Sequence, residues 1–203
     1  MASEAEGGPT RGSVGRAEKE LEAGRDLLLP DVLDEGLSVV FRRLDPGLTS
    51  AVRGHHFATP GNRFWPAPGR SGFTPGLHTP DRDRGLPRLG LGFTNLVART
   101  TRGSDELAPE GFVEGARELR GKFLALGPSW PAFLGITGYR AAFGVRRPKV
   151  GPQEESIGRT RLWPLPNPSG RNAHYTPAML AEEFVRLRVA AGLPDRSTGA
   201  DSP

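Results

Sequence analysis

"VVFRRLDPGLTSAVRGHHFATPGNRFW", Val39 to Trp65, carries the decision about the fold. A short apolar run, Val39-Val40-Phe41, leads into Asp45-Pro46-Gly47, and a longer segment with adjacent His55 and His56 follows. Apolar residues that stop at Asp-Pro-Gly describe a β-strand ending in turn chemistry. Asp45 is either the first residue of a tight turn or a carboxylate held at the end of a strand. Taken alone, these residues leave both readings open.

Working outward, the chain offers three more β-like runs beside Leu37 to Phe41. They are Gly92 to Val97 (GFTNLV), Pro131 to Gly135 (PAFLG) and Arg161 to Pro166 (RLWPLP). Helical patterns separate them. "PEGFVEGARELRGKFLAL" sets Phe112, Ala116, Leu119 and Phe123 at helical spacing, and "TGYRAAF" continues from the third strand. "TPAMLAEEFVRLRVAAGL" opens with Thr176 as N-cap and Pro177 at the first helical position. It aligns Leu180, Phe184, Leu187 and Ala191 on one stripe. Strands alternating with helices imply an α/β fold, a three-layer α/β/α sandwich around a central, mainly parallel four-stranded sheet. In such sheets ligands bind outside the carboxyl ends of the strands. Asp45 and Asn167 both follow strands and belong on that rim.

The length of 203 residues suits one domain, expected over residues 27–192, with polar tails at 1–26 and 193–203 that read as disordered or loosely structured. The net charge is +4, and arginine far outnumbers lysine, which suits contacts to phosphate. Without a single cysteine the chain has no disulfide, thiolate zinc site or cysteine-ligated iron–sulfur cluster. There is no apolar run of the roughly 20 residues that a membrane span needs, and no signal-peptide core at the N-terminus. The expectation is a cytoplasmic, nucleoid-associated protein with no membrane partner.

Two rim segments, "LDPGLTSAVRGHHFATPGNRFW" and "LPNPSGRNAHYT" (Leu165 to Thr176), with "GFTNLVART" between them, resemble the mismatch-specific uracil-DNA glycosylases, the branch that includes the thymine-DNA glycosylases. The resemblance covers roughly Leu29 to Leu187. It implies a monomeric DNA repair glycosylase that needs no metal or cofactor. Such an enzyme flips uracil or a related damaged pyrimidine, opposite guanine, out of double-stranded DNA. It hydrolyses the N-glycosidic bond and leaves an abasic site. The iron–sulfur uracil-DNA glycosylases are excluded by the missing cysteines.

The resemblance also assigns roles. In the family the first motif reads Gly-Ile-Asn-Pro-Gly, and its Asn positions a water. Here Arg43-Leu44-Asp45-Pro46-Gly47 places Asp45 in the catalytic position. An amide can only orient the water, whereas a carboxylate can also accept its proton and favour the cationic sugar. Gly47 would leave room for bases bulkier than uracil. It could equally be a turn glycine with positive φ. Phe57 would stack on the flipped base, its other reading being a core Phe, and Leu44 and Phe57 main-chain groups would read the base edge. His55 and His56 would line the pocket mouth, His56 as part of the base pocket, or contact phosphate, their other reading being a plain surface loop. Asn167, Ser169, Gly170 and Arg171 would form the DNA-binding wedge loop, with Arg171 standing where bacterial relatives carry Leu. His174 and Tyr175 would extend the footprint. His55 and His56 make a poor metal pair, because neighbours on a strand point apart and no third ligand is evident. Ser169 lacks the elbow motif of a nucleophile.

Some residues sit badly with this fold. Pro131 and Pro164 fall inside expected strands, where a proline removes a ladder hydrogen bond. Pro68 and Gly69 fall where the family has a helix, and a mid-helix proline costs about 3 kcal/mol. Arg43 replaces a small residue beside the site. The alternative expectation is therefore a catalytically weak or inactive homologue, low in melting temperature, that binds mismatched or abasic DNA.

Overall fold

The computed structural model describes residues 23–25, 27–96, 100, 109–170 and 172–197. Four strands form one parallel sheet in the order β2-β1-β3-β6. They are β1 (Val39–Arg43), β2 (Leu91–Asn95), β3 (Trp130–Leu134) and β6 (Trp163–Leu165). The short β4 (Ser156–Ile157) and β5 (Thr160–Arg161) make a separate antiparallel hairpin.

Both faces of the sheet are covered, so its strands are buried without alternation, even where β1 carries Arg42 and β2 carries Thr94 and Asn95. Val39 and Phe41 point to one face, where they meet Phe64, Phe73 and, from helix α5 (Pro177–Ala190), Leu180, Phe184 and Leu187. The Phe41 ring stacks on Phe184 with centroids 5.5 Å apart. Val40 points to the other face, where Leu119 and Phe123 of α3 (Pro109–Leu126) and Tyr139 of α4 (Ile136–Phe143) cover it together with Phe133. Three layers result, and the expected sandwich is the observed one. Thr176 caps α5 by accepting from the Met179 N–H at 3.2 Å.

Strand limits shift from the expected ones for identifiable reasons. The first strand runs two residues further, to Arg43, because the fold carries Arg42 and Arg43 into the sheet instead of ending at them. Arg161 leaves the fourth strand for the β4–β5 hairpin. Gly135, at φ +110, ends β3, a conformation that favours glycine. Val97 lies outside the described residues.

The prolines cost less than expected. Pro164 directs its carbonyl outward to the Gly151 N–H at 3.0 Å, so its nitrogen also faces away from β3 and no ladder bond is lost. The neighbouring Leu165 faces inward and accepts from Gly135 N. Trp130 donates toward β1, so the Pro131 nitrogen points to β6, one position before that pairing begins at Ala132. Pro68 is the third residue of a five-residue helix, α2 (Pro66–Arg70). First-turn N–H groups have no partner within their helix, so the missing donor is not missed. Another helix, α1 (Leu48–Arg53), starts at Gly47, whose φ of −64 is ordinary; the positive-φ turn glycine is not found there.

Leu193 packs against the core and the Arg196 N–H donates to Gly72 at 2.9 Å, so residues 193–197, placed in the tail by sequence, are held on the domain. Among the described residues no helix is long and apolar enough to cross a membrane.

Candidate active site at the carboxyl ends of three strands

A cavity of about 400 Å³ opens where β1, β3 and β6 end. After β1 come Leu44 and Asp45, after β3 come Gly135 to Gly138, and after β6 come Asn167 to Ser169. Phe57, Thr59 and Asn62 close another side, and Arg43 reaches in from the last position of β1. The chain leaves β1 for β2 on one flank and reaches β3 on the other, so the crevice sits where the strand order reverses.

Asp45 is 9% exposed and lies within the fields of two guanidinium groups, Arg42 and Arg43. Successive strand residues point to opposite faces, so the two arginines approach from different sides of the sheet. Arg42 is fully buried beneath α4, its guanidinium 5.1 Å from the Phe133 ring, with Nε and Nη2 unpartnered. Burial pulls its pKa down to about 9, against the supporting charge of Asp45. Gly138 makes room for it: a Cβ there would lie 2.8 Å from Arg42 Nη1. Arg43 is also pulled down by burial and supported by Asp45. Its Nη1 is buried without a partner.

Phe57 is 2% exposed and fully committed. One face stacks on Phe64, centroids 4.0 Å apart at 12°. The other is covered by Arg43, whose guanidinium carbon stands 4.8 Å from the ring centre. The ring therefore does not offer the open stacking face expected of it. Its backbone is pinned on both sides: His56 N–H donates to Asp83 at 2.9 Å and Ala58 N–H to Ser50 Oγ at 3.2 Å. That grip holds Phe57 at φ +56, a strained setting for a side chain of this size.

His56 does not line the pocket. It is 1% exposed, packs on Phe93 with centroids 4.8 Å apart, and donates from Nε2 to the Pro30 carbonyl at 3.1 Å. Sequence alone gave no sign that His56 turns into the core while its neighbour Phe57, itself buried, borders the cavity. His55 donates from Nδ1 to the buried Asp83 at 3.1 Å. Gly47 is absent from the cavity lining; a Cβ on it would stand 3.7 Å from Arg43 Nη2.

The loop after β6 is built from nested side-chain turns. Asn167 Oδ1 accepts from Ser169 N–H at 3.0 Å, Asn172 Nδ2 donates to the Asn167 carbonyl at 2.9 Å, and Asn172 Oδ1 accepts from His174 N–H at 3.1 Å. Gly170 meets Gly61 so closely that a Cβ would sit 2.9 Å from its carbonyl. Arg63 fastens the loop, donating to the carbonyls of Gly170, Asn172 and Tyr175 at 2.9, 3.2 and 3.0 Å. Arg171 lies outside the described residues. A second groove, about 630 Å³, continues from the cavity past Asn167 and Ser169 to His174 and Tyr175.

Arg63, Thr59, Asn62 and the start of α4 were missed by sequence. Arg63 had a signal, since it lies inside "PGNRFW". Asn95 was also missed: it pairs with Arg43 across the β1–β2 register and its buried amide has no partner on either atom. Among the described residues no group of three or more acidic or histidine side chains is placed to hold a metal ion.

The family model for the uracil DNA glycosylase superfamily matches the chain over residues 30–188, a span that holds the sheet, the cavity and both loops at its rim. The chain belongs to that superfamily and is accordingly a DNA glycosylase, a hydrolase whose partner is DNA.

Proposed function

We propose that the protein excises uracil, and related damaged or mismatched pyrimidines, opposite guanine in double-stranded DNA, as a monofunctional and monomeric repair glycosylase acting in the cytoplasm at the nucleoid. The observation that carries this reading is the placement of Asp45 in one cavity with the Asn167–Ser169 loop, each at the end of its own parallel strand.

The chemistry follows from that placement. The loop after β6, stiffened by Arg63, approaches the duplex and fills the gap left by the flipped nucleotide. The base enters the 400 Å³ cavity, and Asp45 stands at the sugar end. There its carboxylate orients a water, accepts the water's proton and offsets the positive charge of the oxocarbenium-like sugar. The charges of Arg42 and Arg43 act on that carboxylate.

A labelled duplex with one G:U pair, followed by alkaline cleavage, tests the reading. Strand breaks that vanish in Asp45→Ala support it. A parallel assay with A:U duplex and single strand tests the mismatch preference. The second reading, a homologue that binds mismatched or abasic DNA without cleaving it, draws on the guanidinium of Arg43 that covers Phe57. Tight binding without breaks would favour it.

A further inference from the structure

Arg43 lines the cavity together with Asp45 and Phe57. Its guanidinium lies over the Phe57 face on which a base would stack, and Nη2 points toward Gly47. A half-buried cation costs free energy unless its donors are used. Asp45 supports the charge of Arg43, yet Nη1 remains buried with no acceptor. The fold has thus left a positive charge in the wall of the cavity, over Phe57, with one of its donors buried and unused.

We propose that Arg43 is a catalytic residue that stabilises the leaving group: the flipped base lies against its guanidinium, and the charge takes up the negative charge developing on the base. This rests on the glycosylase reading above. In the step, the water oxygen bonds to C1′ as the C1′–N1 bond breaks, and the bond's electron pair stays on the base. The water's proton passes to Asp45. Arg43 remains protonated throughout, and the released base anion then takes a proton from solvent. Asp45 and Arg43 form a charge pair matched to the two ends of the breaking bond: the carboxylate faces the sugar that becomes positive, the guanidinium the base that becomes negative. Such preorganised charge acts most strongly in a site that excludes water.

The test compares single-turnover excision of uracil and of 5-fluorouracil, whose anion is the more stable, from otherwise identical G-opposed duplexes. Wild type, Arg43→Met and Arg43→Lys are measured. Arg43→Met is expected to lose about 10²-fold on uracil, with a loss at least tenfold smaller on 5-fluorouracil, while Arg43→Lys retains most of the uracil activity. The ratio between the two bases does not depend on how much of the variant is folded. Equal losses on both bases, or faster excision by Arg43→Met, would overturn the proposal. A second readout needs no turnover. A duplex carrying 5-fluorouracil on a hydrolysis-resistant 2′-fluorinated sugar is bound, and the base's ionisation is followed by fluorine NMR. The base is expected to ionise at lower pH in wild type than in Arg43→Met; identical titrations would overturn the proposal. If wild type cleaves neither duplex but this difference is present, the glycosylase reading fails while the placement of Arg43 against the base stands.

Discussion

Arg63 donates from Nη2 to the carbonyl oxygen of Gly170 at 2.9 Å, so a residue of the first motif holds the backbone of the second. More than a hundred residues of chain separate them. Because the same guanidinium reaches Asn172 and Tyr175, it works as a fork, which a lysine cannot copy. Arg63→Ala is expected to destabilise the protein by about 1.5–3 kcal/mol, seen as a lower urea midpoint. Arg63→Lys should recover only part of this. Limited proteolysis should find the loop around Gly170 cut faster in both variants.

Asp45 is expected to be indispensable as a carboxylate. Asp45→Ala should lower G:U excision by about 10²–10⁴-fold, the range for a positioned general base. Asp45→Asn should also lose activity, although relatives use Asn, because the neutral amide leaves Arg42 and Arg43 without their counter-charge. A rise in the single-turnover rate of Asp45→Asn would show that the carboxylate hinders the reaction.

His56 gives the fold a sensitivity to acid. Burial lowers its pKa more than the Pro30 carbonyl and Asp83 raise it. The folded protein therefore holds the ring neutral at pH values where the unfolded chain protonates it. The stabilisation is complete above the unfolded value of about 6.5 and is lost as the pH falls from there toward the lower folded value. Urea midpoints should drop over that window in wild type and drop less in His56→Gln.

Arg42 and Gly138 are expected to be coupled. A methyl group at Gly138 would meet Arg42 Nη1 at 2.8 Å, in a place where the buried side chain has little room to move. Gly138→Ala should destabilise wild type, and much less so in an Arg42→Met background. Arg42→Met alone should be neutral or stabilising, since it replaces a buried, under-partnered charge by an apolar chain of similar reach. A double-mutant cycle of thermal or urea unfolding should show an interaction of about 0.5–3 kcal/mol.

Much of this architecture was legible because the physics is local. Apolar runs bounded by Gly and Pro gave the four strands, and Thr176-Pro177 gave the start of α5. The alternation of strand and helix then fixed the rim on which Asp45 and Asn167 meet. What stayed hidden depended on tertiary direction. Nothing in "HHF" says that His56 turns inward, because the reversal at Phe57 is imposed by Asp83 and Ser50 from elsewhere in the chain. Two consecutive arginines read as the end of a strand, yet the sheet takes both and spends one beneath α4 and the other over Phe57. The prolines looked costly because sequence does not tell which edge a nitrogen faces; Pro164 faces outward.

The order β2-β1-β3-β6 has a consequence for the protein's birth on the ribosome. Asp45 is made early and Asn167 late, and the cavity has no wall on that side until β6 docks on β3. The residues that grip the late loop are themselves early ones, waiting from Gly61 to Arg63. A nascent chain thus exposes no completed base pocket until β6 and the loop after it have left the exit tunnel.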